Sequence, residues 1–189
     1  VWLFDLPAKD GDRTGIARRA IDGLAKLDPA PLAAPGLAAH IGAANYDEHL
    51  DRLAECDLVI EAIAERLDWK RELFARIAPH LAPQAILASN TSGLSISALA
   101  AGLPDALQSR FCGIHFFNPP RYMHLVELIP APASAPAMLD ALETFLTTAL
   151  GKGVIRAKDT PNFIGNRIGV FSILAAFHHA HALGLGFDE

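Results

Sequence analysis

Short apolar runs and helical patterns follow one another along almost the whole of this 189-residue sequence. When strands alternate with helices in this way, each helix carries the chain back across the sheet, so the strands run parallel and helices cover both faces. We therefore predict an α/β fold with a doubly wound parallel sheet. Ligands of such folds bind at the carboxyl ends of the strands, so polar residues there are the first candidates for a functional site.

The predicted elements follow from the spacing of the apolar residues. Strands are expected over residues 1–5, 40–45, 57–62, 85–89, 111–117, 125–129 and 153–157. Helices are expected over residues 14–27, 67–81, 95–101, 137–150 and 163–182. Asp47 is expected to cap a further short helix. In the helix over residues 67–81, we predict a shared buried face that consists of Trp69, Leu73, Phe74 and Ile77.

Charge and composition exclude several classes of protein. The formal net charge of -5 argues against a nucleic-acid partner, which requires a basic face. The apolar stretch over residues 170–187 contains three histidines, so we predict a helix packed in protein and no membrane insertion. Cys56 and Cys112 have no metal-ligand spacing and are expected to be core residues. No signal peptide is visible, and a cytoplasmic location is the default expectation.

Residues 115–127 give the strongest indication of chemistry. His115 ends one apolar run and Glu127 lies inside the next, with Pro119 and Pro120 between them. A Pro-Pro turn allows the second strand to fold back beside the first, so that the imidazole and the carboxylate meet. A histidine held by a carboxylate is the usual general base near neutral pH, and a carboxylate in an apolar strand needs a partner. The alternative is that His115 has a structural role.

Asp5 ends the first apolar run. In a dinucleotide-binding fold, an acid at the end of the second strand accepts hydrogen bonds from the ribose of the adenosine. The alternative is a solvated acid in the turn before Pro7. The glycine-rich turn that precedes such a strand is not in the sequence. For this fold, we expect the chain to lack its first strand, this glycine-rich loop and the first helix.

Polar residues follow three further strands. After residues 57–62, the backbone of Ala62 and the side chains of Glu65 and Lys70 are expected to face the crevice, although Glu65 also suits the start of a helix. The polar turn over residues 89–95 caps the next helix, and Ser92 is expected to reach the ligand as a hydrogen-bond donor.

Asn166 lies in the first turns of the last helix, where it either completes the cap or points into the same crevice as His115. His178 and His181 are spaced to share one face of that helix. No carboxylate or cysteine accompanies these two histidines, and no metal site is predicted.

Taken together, these segments resemble the 3-hydroxyacyl-CoA dehydrogenase family. The matching pieces occur in family order over nearly the whole chain: Asp5 after a strand, residues 59–65 with Lys70, and residues 88–92, 115–120, 125–127 and 159–167. The variant over residues 119–127 is most similar to the large multifunctional β-oxidation proteins, which join a dehydrogenase to an enoyl-CoA hydratase.

The resemblance implies a Rossmann-like, mostly parallel sheet and an NAD-dependent oxidation of L-3-hydroxyacyl-CoA to 3-ketoacyl-CoA. In this assignment His115 is the general base, and Glu127 orients it and stabilises its protonated form. Asn166 helps to hold the substrate carbonyl. Ser92 and Asn118 lie near the nicotinamide ribose and the reacting carbon.

The resemblance also assigns residues to the remainder of the cofactor. Asp5 is implied to bind the adenosine ribose of NAD. Glu65 and Lys70 lie further along the cofactor, with the backbone of Ala62 in the same crevice.

The resemblance divides the chain into two parts. Residues 1–160 are an NAD-binding domain without its first strand and glycine-rich loop, and residues 161–189 start an all-α C-terminal domain. In the family, that domain closes the acyl-CoA site and forms the dimer, so a homodimer is expected for the intact protein. The chain alone is expected to bind NAD poorly. The alternatives are a sugar-acid dehydrogenase of the gulonate type and a non-catalytic nucleotide-binding module.

Overall fold

The computed structural model describes residues 1–186. The strands are β1 (Trp2–Asp5), β2 (Gly42–Asn45), β3 (Leu58–Glu61), β4 (Ile86–Ser89), β5 (Phe111–Phe116), β6 (Leu125–Pro130) and β7 (Gly153–Arg156). The α-helices are α1 (Gly15–Gly23), α2 (Leu67–Ile77), α3 (Ile96–Ala100), α4 (Asp105–Gln108), α5 (Pro136–Thr148) and α6 (Gly165–Ala182). All the predicted strands are present, and α4 was not predicted.

The strands form two sheets. One contains β1 and β2, and the other has the order β3-β4-β5-β6-β7. Neighbouring strands run parallel except β5 and β6, which form an antiparallel hairpin. The mostly parallel, Rossmann-like sheet is therefore confirmed.

A cleft of about 710 Å³ separates the two sheets. It is lined by Trp2–Asp5 on one side and by Leu58–Glu61 on the other. Within residues 1–186, β1 pairs only with β2 and β3 only with β4, so each has an unpaired edge. Within residues 1–186, the two sheets are thus arranged like a parallel sheet without one of its strands, which agrees with the predicted lack of the first strand.

Helices cover both faces of the larger sheet because its side chains alternate between two cores. Phe111 and Ile129 pack on one face with residues of α2 and α3. Cys112 and Leu128 point to the opposite face, where they pack against α5. This alternation with a period of two confirms the predicted doubly wound architecture.

The buried face of α2 differs from the predicted one. The buried residues of this helix are Lys70, Phe74 and Ile77, whereas Trp69 is 48% exposed. Lys70 occupies the inward position because two carboxylates lie within reach of its ammonium group. The α-helix also ends at Ile77, before the predicted end at residue 81, and a short 3-10 turn over Ala78–His80 follows it.

The predicted cap at Asp47 is wrong. The segment that follows is a 3-10 helix over Leu50–Glu55, and it has no side-chain cap. Oδ1 of Asn45 instead accepts hydrogen bonds from the backbone N–H groups of Asp47 and Glu48. The carboxylate of Asp47 forms ion pairs with exposed arginines.

Helix α6 leaves its apolar side chains largely uncovered. None of its residues is buried, and Ile168, Phe171 and Leu174 are 61%, 72% and 60% exposed. The expectation of a helix packed in protein is therefore wrong for the described residues, because only the start of α6 contacts the domain closely. Residues 187–189, at the end of the predicted second part, lie outside the described range. No helix within residues 1–186 is long and apolar enough to cross a membrane.

Candidate active site

His115 and Glu127 lie opposite each other on the antiparallel strands β5 and β6. Nδ1 of His115 is 2.7 Å from Oε2 of Glu127. The two residues are 3% and 0% exposed. The predicted contact between the imidazole and the carboxylate is therefore present in the structure.

The second oxygen of Glu127 accepts two backbone hydrogen bonds. The N–H groups of Ile164 and Gly165, at the start of α6, each donate to Oε1 over 2.8 Å. Because this network uses the carboxylate as an acceptor, Nδ1 of His115 is assigned the hydrogen of the neutral ring. Nε2 then keeps a lone pair that is free to accept a proton.

Two aromatic rings surround the imidazole. The ring centroids of Phe117 and Phe163 lie 4.5 Å and 5.8 Å from that of His115. Phe163 has a φ of 47° and Asn162 a φ of 62°, so the chain enters α6 through two residues in the left-handed region. Such conformations cost about 1–3 kcal/mol each and are retained where surrounding contacts enforce them. Here the turn places Phe163 against the imidazole.

Glu65 organises the polar turn that follows β4. Its Oε1 accepts hydrogen bonds from Oγ1 of Thr91 and from the N–H groups of Ser92 and Gly93 over 2.6, 2.9 and 3.0 Å. Partial burial acts to raise the pKa of Glu65, but these hydrogen bonds and the charge of Lys70 outweigh it and lower the pKa. Glu65 therefore holds the turn as an ionised carboxylate.

Ser92 and Asn166 meet at the same turn, since Nδ2 of Asn166 donates to the carbonyl oxygen of Ser92 over 3.3 Å. Asn118 is exposed and directly follows Phe117, whose ring contacts His115. Ser92 and Asn166 are thus in contact. Asn118 is the residue next to Phe117, whose ring packs against His115.

Lys70 does not face the crevice as predicted. Its side chain is 1% exposed, and its Nζ lies 2.6 Å from Oε1 of Glu61 and 3.6 Å from Oε2 of Glu65. The ammonium group is drawn beneath the crevice by these two carboxylates. Its assignment to the cofactor stays a prediction.

Asp5 and Ala62 lie at the cleft between the two sheets. Asp5 ends β1 opposite Asn45 of β2, and its Oδ1 accepts the N–H of Leu6 over 2.7 Å. Ala62 is exposed and follows β3 directly. A carboxylate at this strand end, beside an open cleft, has the position and charge to accept hydrogen bonds from ribose hydroxyls.

Several polar residues that the sequence analysis did not select connect the strand ends. Ser89, which is buried, donates to Glu61 over 2.6 Å. Asn90 donates its N–H to the carbonyl of Glu61 and accepts the N–H of Phe116 at its Oδ1. The available signal was the occurrence of polar residues at the ends of buried strands.

The remaining titratable clusters offer no second centre in the described part of the chain. No group of three or more His, Cys, Asp or Glu residues within residues 1–186 is arranged to hold a metal ion. Cys112 is buried, as predicted, and burial raises the pKa of its thiol to about 12, so it is not a nucleophile. Cys56 is half-buried.

Sequence comparisons match this arrangement to known enzymes. A family model described as 3-hydroxyacyl-CoA dehydrogenase, NAD binding domain, matches residues 12–160. A relative from Rickettsia prowazekii, named as a trifunctional enzyme of a fatty acid oxidation complex, is 42% identical over 188 residues, which are 99% of this chain and 26% of the relative.

Two solved structures share the fold. FadB2 of M. tuberculosis has a TM-score of 0.81 and 30% identity, over 99% of this chain and 65% of that one. The 3-hydroxybutyryl-CoA dehydrogenase of Escherichia coli K12 has a TM-score of 0.72 and 36% identity, over 88% of this chain and 34% of that one. The chain thus spans about a quarter of the length of the Rickettsia relative. This chain belongs to the 3-hydroxyacyl-CoA dehydrogenase family, and its residues 12–160 correspond to that family's NAD-binding domain.

Proposed function

We propose that the chain is the dehydrogenase part of a protein that oxidises L-3-hydroxyacyl-CoA to 3-ketoacyl-CoA with NAD, with His115 as the general base and Glu127 as its anchor. The observation that carries the proposal is the buried contact of 2.7 Å between the two side chains. The names of the relatives support the same reaction class.

The proton transfer follows from the hydrogen-bond network of His115. Oxidation of a secondary alcohol removes the hydroxyl proton and the hydrogen on the same carbon. Nε2 of His115 accepts the hydroxyl proton as the carbonyl forms, and the ring becomes an imidazolium. Glu127, held by Ile164 and Gly165, stabilises that positive charge through Nδ1. NAD, when bound, supplies the acceptor for the hydride.

Residues near the pair of His115 and Glu127, which we call the dyad, orient the substrate. The proposed role of Ser92 and Asn166 is to donate hydrogen bonds to the substrate oxygens, and their mutual contact fixes one relative position for both. Asn118 is proposed to lie near the nicotinamide ribose and the reacting carbon.

The described residues suit the ends of NAD better than its centre. Asp5 offers a carboxylate for the adenosine ribose, while Ala62 and Glu65 lie on the path from there to Ser92. Lys70 adds a positive charge beneath that path. No glycine-rich turn for the pyrophosphate occurs within residues 1–189.

We further propose an acyl-CoA substrate, a homodimer in the intact protein and no nucleic-acid partner. The exposed apolar residues of α6 favour a partner surface on that helix. A domain boundary near residue 160 fits the start of α6 at Gly165. A cytoplasmic location stays a prediction.

The test is a comparison of substrates with the protein expressed from its complete gene. We expect the protein to reduce acetoacetyl-CoA with NADH, which is measured as the loss of NADH absorbance. We expect no comparable NAD-dependent oxidation of L-gulonate. A preference for gulonate would identify a sugar-acid dehydrogenase, and NAD binding without turnover of either compound would identify a non-catalytic module.

A further inference from the structure

A buried polar cluster lies beneath the crevice, at the ends of β3 and β4. Its centre is the carboxylate of Glu61, which is 4% exposed. Oε1 accepts hydrogen bonds from Nζ of Lys70 and from the N–H of Ile63, both over 2.6 Å. Oε2 accepts the hydroxyl of Ser89 over 2.6 Å. Every polar atom of the carboxylate thus has a partner inside the protein.

A buried ion pair of this kind is a poor means of gaining stability. Removing both charges from water costs about as much as their attraction returns, so apolar residues of similar volume often stabilise a fold equally well. A fully satisfied polar network does, however, fix its members in one geometry. The main effect of the cluster is therefore to fix the positions of the backbone segments that it binds.

The cluster holds one crevice loop through both backbone groups of a single residue, Ile63. The N–H of Ile63 donates to Glu61, and its carbonyl oxygen accepts from Nζ of Lys70 over 3.1 Å. Nζ also lies 3.6 Å from Glu65, two residues further along the loop. The segment over residues 62–65 is thus tied to the strand before it and to the helix after it.

The same cluster reaches the neighbouring loop. Ser89, bound to Glu61, accepts the N–H of Thr91 over 3.3 Å. Glu65, near Lys70, accepts the N–H groups of Ser92 and Gly93. The loop over residues 62–65 and the turn over residues 91–93 are therefore joined at two places, through Glu61 with Ser89 and through Glu65.

We propose that Glu61 is a positioning residue: its buried carboxylate, through Lys70 and Ser89, holds residues 62–65 against the turn over residues 91–93 and thereby sets the affinity for NAD. The inference rests on the proposed function for the identity of the cofactor. The carboxylate of Glu61 acts on the cofactor site through these neighbours, because both of its oxygens already accept hydrogen bonds inside the protein.

The test uses Glu61→Gln and Ser89→Ala in the protein expressed from its complete gene. The matched controls are Glu143→Gln, which changes a surface carboxylate paired with Arg156, and Thr147→Ala, which removes an exposed hydroxyl of α5. NAD binding is measured by the quenching of tryptophan fluorescence, because Trp2 and Trp69 both line the cleft. The KM for NAD and kcat are measured in parallel.

We expect the dissociation constant for NAD to rise about tenfold in Glu61→Gln and about fivefold in Ser89→Ala, from the usual net value of a hydrogen bond, with kcat at saturating NAD within about threefold of the parent. The controls are expected to match the parent. Folded variants that bind NAD as tightly as the parent would overturn the inference.

Glu61→Gln removes the carboxylate that lies 2.6 Å from Nζ of Lys70 and leaves Glu65, 3.6 Å away, as the remaining charged partner, so a second variant covers a failure to fold. The double variant Glu61→Gln, Lys70→Met removes both charges and is expected to regain the melting temperature of the parent. Its dissociation constant for NAD is expected to stay raised. If the double variant binds NAD like the parent, the proposal is wrong.

The same measurements separate the two proposals. Loss of acetoacetyl-CoA turnover in the parent, with NAD binding intact, contradicts the proposed function alone, and the fluorescence titration still tests Glu61. A parent that does not bind NAD contradicts both.

Discussion

Phe117 packs so closely against Gly165 that a Cβ atom on the glycine would lie 2.6 Å from Cζ of the phenylalanine. The same phenylalanine ring contacts His115, with 4.5 Å between the ring centroids. The start of α6, the aromatic wall and the proposed base thus form one continuous set of contacts.

The first prediction concerns this close approach. Gly165→Ala is expected to push Phe117 away from His115, to lower the free energy of unfolding by about 1–3 kcal/mol and to reduce kcat. Gly169→Ala is the matched control, because nothing lies within 4 Å of its Cβ position. In the helix interior this control is expected to stabilise by about 1 kcal/mol. Thermal unfolding and turnover check both, and a Gly165→Ala protein equal to the parent would refute the close contact.

The second prediction concerns the proposed base and its anchor. His115→Ala and Glu127→Gln are each expected to lower turnover about 10²-fold or more, the usual contribution of general acid–base catalysis. Glu143→Gln provides an exposed carboxylate as a control. Steady-state rates with acetoacetyl-CoA decide the matter, and full activity in either dyad variant would exclude the mechanism.

The third prediction concerns acid stability and Asp159. Its carboxylate accepts hydrogen bonds from the N–H groups of Ile96 and Ser97 and from the hydroxyl of Ser95. Partial burial acts to raise the pKa of Asp159, but these hydrogen bonds outweigh it and lower the pKa. A lowered pKa in the folded state stabilises the fold above the unfolded pKa of about 3.9, and this contribution is lost as the pH falls through the folded value.

We therefore expect the melting temperature of the parent to fall as the pH drops below about 4, and that of Asp159→Asn to fall less. At pH 7, Asp159→Asn is expected to be less stable by about 1 kcal/mol, as for the loss of a helix cap. Melting curves across this range test the idea. A constant difference between variant and parent at every pH would argue against it.

The fourth prediction concerns the cleft between β1 and β3. Residues 1–189 alone are expected to bind NAD more weakly than the protein expressed from its complete gene, because they supply no glycine-rich turn whose N–H groups would hold the pyrophosphate. Calorimetric titration of both proteins measures the difference. Equal dissociation constants would show that the open cleft does not limit binding.

Much of the fold was predictable because the central strands β4, β5 and β6 of the larger sheet are buried on both faces and are therefore nearly continuous apolar runs. The contact between His115 and Glu127 was predictable for a related reason. A carboxylate inside such a run needs a partner, and the Pro-Pro turn brings the histidine back to it.

Other features depend on contacts that the sequence pattern does not contain. Lys70 is predicted to face the crevice because it follows a buried strand whose carboxyl end lies there. Its burial depends on Glu61, Glu65 and the carbonyl of Ile63, which converge only after folding. Trp69 is predicted to be buried because its spacing places it on the apolar face of α2, but Arg66 covers it at the surface, with Cζ 4.7 Å from the ring centroid.

The exposed faces of α6 could not be predicted for another reason. An apolar helix pattern shows that a helix needs a partner, but it does not show where the partner lies. None of the residues of α6 is buried within residues 1–186, whereas the start of the helix is held by Glu127.

The pairing of His115 with Glu127 across β5 and β6 makes correct folding a condition of chemistry. A slip of one residue between these strands would turn Glu127 to the opposite face of the sheet. The histidine would lose its acceptor, and a carboxylate would be buried without a partner in an apolar core, which strongly destabilises a fold. A molecule with a misaligned hairpin therefore becomes unstable at the same time as it becomes inactive, so stable but defective copies should not accumulate.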